Sequence, residues 1–140
     1  MVRDIPFDPV EGVAVAVVPD AAAAVRDEQP GWQVYLLNHN AYALRNVIVS
    51  ANGYGPSPGP DGEPVRTSTL RYVYEEVPPR AAVPVEPIDS ALFHLSNQYW
   101  VSYYRGPQIF DKKYIFVPDS IVPDNLTHIA LLDRVGVLHG

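Results

Sequence analysis

The sequence predicts an all-β protein, a seven-stranded immunoglobulin-like β-sandwich followed by an extended C-terminal tail. Three observations carry this expectation. Runs of β-branched and aromatic residues recur at hairpin spacing, bounded by turn residues. Fifteen prolines fall largely between those runs, where a residue with fixed φ and no N–H ends a strand and works against a helix. The run Gln98–Arg105, QYWVSYYR, sets Tyr99, Trp100, Tyr103 and Tyr104 within one short segment. Aromatic and branched side chains fit a pleated surface and lose χ1 freedom in a helix.

Taken in order, Gly12–Val18 is a first strand of valines alternating with small residues, stopped by Pro19. Asp20–Glu28 is the one helical candidate: Asp20 can cap it and four alanines follow. At about two turns it is marginal alone and reads as a helical loop. Trp32–Asn38 is the second strand, apolar on both faces and therefore central. Asn38, His39 and Asn40 form a turn, since Asn tolerates left-handed backbone and bonds its own chain. Leu44–Asn52 follows as the third strand, forming a hairpin with the second, and Gly53–Pro64 as a Pro/Gly loop.

Thr67–Glu76, the fourth strand, alternates most cleanly: Leu70, Tyr72 and Tyr74 on one face, Thr67, Thr69, Arg71, Val73 and Glu75 on the other. Ala81–Glu86 is a fifth strand whose Pro84 implies an edge. Asp89 or Ser90 can cap a helical turn crossing between sheets. Gln98–Arg105 is the central strand, with Tyr99, Val101 and Tyr103 facing one way and Trp100, Ser102 and Tyr104 the other. Gly106-Pro107 turns the chain into the seventh strand, Ile109–Val117. The expected organisation is a sandwich domain over 1–117 and an apolar tail over 118–140, laid on the domain or on a partner.

Composition narrows the function. The chain has 140 residues and no cysteine, so disulfides and thiolate metal sites are ruled out. A net charge of −6 with scattered basic residues disfavours nucleic acid, whose phosphates demand a basic footprint. The apolar run Val13–Val18 falls far short of the ~20 residues of a membrane span, and no signal-peptide pattern precedes it. A soluble, cytoplasmic protein is the expectation.

Individual motifs offer little chemistry. Gly55-Pro56-Ser57-Pro58-Gly59 matches the G-x-S-x-G nucleophile elbow in letters only. That motif needs an N–H after the serine and a helix beyond it, and Pro58 supplies neither. His39, His94, His128 and His139 show no ligand spacing, so no metal and no cofactor is expected. His94 reads as a half-buried neighbour of Phe93, and the two later histidines as solvated. Glu75 and Glu76 point to opposite faces, and Asp111, Lys112 and Lys113 read as a solvated hairpin end.

The contact-type side chains are the sharper signal. Tyr35, Tyr99, Trp100, Tyr103 and Tyr104, with Leu131, Leu132, Val137 and Leu138 of the tail, are the candidate interaction surface. About half of the rings are expected in the core, since a two-layer sandwich cannot bury both faces of one strand.

The segments WQVYLLNHNAYALRNVIVSANGYG, TSTLRYVYEEVP, LFHLSNQYWVSYYRG, KKYIFVPDSI and LLDRVGVL together resemble a family of small Bacteroidota-type bacterial proteins, over nearly the whole chain. Some members of that family carry the label of a phenylalanyl-tRNA synthetase subunit, so the resemblance implies an accessory protein linked to such a synthetase. It supplies no active residues to transfer, and the ATP-binding arginine motifs of a class II synthetase do not occur here. The expected function is a non-enzymatic protein-interaction module, with a protein partner or self-association. A carbohydrate or small-molecule binding module built on Trp100 is the alternative.

Overall fold

The computed structural model describes residues 9–20, 31–56 and 64–140. Ten strands are present among them, in two antiparallel sheets that pack face to face. They are β1 (Val13–Pro19), β2 (Trp32–Asn38), β3 (Leu44–Pro56), β4 (Pro64–Arg66), β5 (Leu70–Val77), β6 (Ala81–Ile88), β7 (Ser96–Arg105), β8 (Gln108–Phe116), β9 (Thr127–Ile129) and β10 (Arg134–His139). The first sheet runs β6-β2-β1-β10-β9. The second runs β3-β7-β8, with β4 and β5 both pairing β3 along its other side.

All seven expected strands are there, and the chain crosses between sheets from β2 to β3, from β5 to β6, from β6 to β7 and from β8 to β9, so β2 and β3 stand in different sheets and do not form the expected hairpin. The seven-strand count falls short by three short elements. The segment expected to be loop from Gly53 begins as strand, because β3 continues to Pro56 and gains β4 as a partner. Residues 118–140, expected as an extended tail, contribute β9 and β10, and β10 pairs with β1 inside the first sheet. The proposed helical loop falls almost wholly on residues 21–30, outside the described residues; of the Ser57 motif, Gly55 and Pro56 end β3, and Ser57, Pro58 and Gly59 lie outside the described residues.

Alternation explains the core. Val13, Val15 and Val17 of β1, Val34 and Leu36 of β2, and Val47, Val49 and Ala51 of β3 join Tyr99, Val101 and Tyr103 of β7 between the sheets. A valine or leucine buried this way contributes about 1.5–3 kcal/mol. In β3 the period is rescued by a bulge between Arg45 and Ile48, with Asn46 at φ 48°, so that Leu44 and Val47 both face inward. Pro84 sits on β6, which is indeed an edge strand, and the register shifts beside it.

β1 is buried on both faces. Its even residues Ala14, Ala16 and Val18 join Leu37 and Ile129 in a second cluster on the outer side of the first sheet, covered by Leu131 and Leu132. Gly136 is what lets β10 close in there: a Cβ would sit 2.8 Å from Ile129 Cδ1 and 3.0 Å from the Val17 carbonyl.

Two polar devices fix the turns. Asn38 is fully buried; its Nδ2 donates to the carbonyls of Tyr42 (2.9 Å) and Pro78 (3.0 Å), and its Oδ1 accepts from the Asn40 N–H (3.0 Å). One side chain thereby ties the β2–β3 connection to the β5–β6 turn. Asp89 caps the 3-10 turn Ser90–Leu92 by accepting from the Ala91 N–H at 2.8 Å. Gly106, at φ 59°, takes the first central position of the two-residue β7–β8 hairpin.

Candidate functional site

The outer face of the second sheet is built from residues that alternate out of the core. β7 supplies Trp100, Ser102 and Tyr104; β3 supplies Ile48 and Ser50; β5 supplies Arg71 and Val73; β8 supplies Ile109, Asp111 and Lys113. The strand register sets them in cross-strand rows. One row is Arg71–Ser50–Trp100–Lys113, and its neighbour is Val73–Ile48–Ser102–Asp111. The large apolar members are open to solvent: Val73 at 71%, Ile109 at 52%, Trp100 at 43% and Ile48 at 40%.

These rows enclose a shallow depression of about 400 Å³, lined by Ile48, Ser50, Arg71, Val73, Trp100 and Ser102 with Ile109 and Asp111. The indole is fixed rather than free. Its Nε1–H donates to Asp111 Oδ2 at 3.1 Å, and the Lys113 ammonium lies 4.8 Å from the ring centroid. Asp111 and Lys113 are thus partners of Trp100 in mid-strand, not a hairpin end. Lys112 turns the other way, to the Gly140 carbonyl at 3.0 Å.

Of the residues expected on an interaction surface, Trp100 and Tyr104 lie on this face. Tyr99, Tyr103 and Val137 do not belong to any surface, because their inward alternation places them in the core. Tyr35, Leu131 and Leu132 are half-buried against the second cluster, on the opposite side of the molecule. The Tyr35 hydroxyl accepts from Arg134 Nη1 at 3.4 Å, while Arg134 Nη2 donates to the Pro19 carbonyl at 2.8 Å. Leu138 is exposed on β10, opposite Ala16. The face therefore omits the tail and instead takes in Ile48, Arg71, Val73 and Ile109. Their signal was the outward period of β3, β5 and β8, legible only once β3 and β8 were known to flank β7 and β5 to pair with β3.

A second constellation lies where the sheets part at the β5 and β6 edges. Glu86 of β6 accepts from the Tyr72 hydroxyl (2.7 Å) and the Tyr99 hydroxyl (3.0 Å), both from the opposite sheet. A cleft of about 390 Å³ opens beside it, lined among others by Leu70, Ile88, Asp89, Leu92 and Asn97. Burial first, then the hydrogen bond to Glu86 and its charge, pushes Tyr72 up to about 12. Burial and the Glu86 carboxylate push Tyr99 up further. Both hydroxyls therefore stay protonated as donors at neutral pH, which suits a fastening and not an acid–base pair.

The histidines are dispersed. His39 and His94 are exposed, so His94 is not half-buried as expected. His128 stands 3.8 Å from Asp133 with both side chains in solvent. His139, expected to be solvated, packs edge-on against the rings of Tyr114 and Phe116. Among the described residues no group of three or more His, Asp or Glu gathers as metal ligands, and no helix is long and apolar enough to cross a membrane. No protein-family model, curated protein or solved structure matches this chain.

Proposed function

We propose that this chain is a non-enzymatic protein-contact module that docks a protein surface on the outer face of its second sheet. The observation that carries the reading is the set of apolar residues Val73, Ile48, Trp100 and Ile109, solvent-exposed across four strands around one depression and interspersed with Arg71, Asp111 and Lys113. Exposed apolar side chains gathered on one face, with charged groups among them, have the composition of an interface. An indole held in one orientation loses little freedom on docking, which is why Trp so often dominates binding energy.

The test is a photo-crosslinking residue at Val73, with one at the exposed Pro79 turn as control, in the full-length chain in its native cell. Protein adducts from position 73 and none from position 79 are expected. Equal labelling of both positions, or no adduct at either, would remove the support for a docking face.

The depression beside Trp100, with Ser50 and Ser102 among its lining residues, also favours a second reading: a platform for a carbohydrate or another small ligand. Ligand stacking on the indole would change its fluorescence. Trp32, packed edge-on against Phe93, is the other emitter, and a Trp100→Phe variant isolates its signal. An unchanged spectrum across a panel of glycans and metabolites would dispose of this reading.

A further inference from the structure

We propose that the occupant of this face is a second copy of the same chain, related by a two-fold axis that runs across the strands between the two central rows. The proposal rests on reading the face as a protein-docking surface and names what docks there. An isologous interface must be complementary to itself under its own rotation, and the row order makes that a specific test.

The rows are Arg71–Ser50–Trp100–Lys113 and Val73–Ile48–Ser102–Asp111. Turning a copy by a half-rotation about an axis across the strands lays each row on the other. Trp100 then meets the copy's Ser102, and Ile48 meets the copy's Ser50, so each large side chain faces a small one. Lys113 meets the copy's Asp111, and Asp111 the copy's Lys113, giving opposite charges twice at the β8 edge. Arg71 meets Val73, whose exposed methyls can lie along the apolar stem of the arginine.

The alternative two-fold, parallel to the strands, fails on the same residues. It would set Arg71 against the copy's Lys113, a repulsion between like charges, and Val73 against Asp111, an apolar group against a carboxylate. Both axes set large against small in the two middle strands; only the axis across the strands also sets positive against negative. The two facing sheets would then stack with aligned strands, the usual arrangement for sheets packed face to face. Charge pairs on such a rim contribute little attraction individually, but like charges placed there are costly and select against the wrong arrangement.

The test is sedimentation equilibrium of the full chain across a concentration series, with charge-exchanged variants. Asp111→Lys leaves two cations at the β8 edge of each copy, and Lys113→Asp leaves two anions. Both side chains are exposed, so the variants should keep the wild-type fold by circular dichroism. The expected result is a wild-type dimer, each single variant dissociating at concentrations about tenfold higher or more. An equimolar mixture of the two variants should dimerise again as a one-to-one heterodimer.

A wild type that stays monomeric throughout would overturn the proposal. So would a dimer indifferent to both exchanges, or a mixture that stays monomeric. The crosslinker at Val73 separates this failure from that of the docking face itself. Adducts of a mass other than twice the chain keep the face and replace its occupant; the absence of adducts removes both.

Discussion

Tyr72, Tyr74, Tyr99 and Tyr114 all stand on the second sheet, and each directs its hydroxyl to the first. Tyr72 and Tyr99 reach the Glu86 carboxylate, Tyr74 donates to the Pro84 carbonyl at 2.8 Å, and Tyr114 to the Val13 carbonyl at 2.7 Å. A tyrosine can span the gap because its ring fills the layer while its oxygen arrives on the far side. The bonds differ in strength. Tyr99 is buried and its acceptor is charged, so Tyr99→Phe should lower unfolding free energy by about 1.5–3 kcal/mol. Tyr74→Phe, at a bond exposed to solvent, should lose less than about 1 kcal/mol. Urea denaturation of both variants measures the difference; equal losses would show that the Glu86 bond contributes nothing beyond ring packing.

At the scale of elements, the C-terminal strand pair shows what one-dimensional reading catches and what it misses. The inward and outward sets of β7 were legible in QYWVSYYR, because one face meets the core and the other meets solvent. β10 obeys no such rule. Val137 enters the main core, Gly136 abuts Ile129 in the second cluster, and Val135 and Leu138 are exposed, so both faces read as apolar and the period vanishes. The burial of β1 on both sides is the matching fact: its valines at 13, 15 and 17 enter the main core, and Ala14, Ala16 and Val18 the second cluster. β9, three residues long, is too short to show a period at all. The outer face was half legible for a similar reason: Trp100 was visible in its own strand, whereas Ile48, Val73 and Ile109 become its neighbours only through pairing. Removing residues 134–140 tests the role of β10. It would strip Val137 from the core and leave the apolar β1 as an open edge, which invites pairing between molecules. The truncated chain should melt at a lower temperature and aggregate concentration-dependently in light scattering. A soluble product with the full-length melting temperature would show that β10 is dispensable.

For the molecule as a whole, inter-sheet fastening by hydroxyls makes stability depend on keeping tyrosines protonated. Burial is the leading cause that raises Tyr72 and Tyr103 up to about 12, raises Tyr74, and raises Tyr99 and Tyr114 further. In the unfolded chain the same groups ionise near ~10. Above that pH the unfolded state therefore sheds protons that the folded state keeps, and the equilibrium moves toward unfolding. The stabilisation is complete below about pH 10 and is lost as the pH climbs through about 12. Tyrosinate absorbance followed beside circular dichroism should show this directly. The tyrosines that burial raises should ionise together, in one steep step that coincides with loss of the sheet signal. A smooth titration of all nine tyrosines near pH ~10 with the β spectrum unchanged would mean that the hydroxyls do not hold the two sheets together.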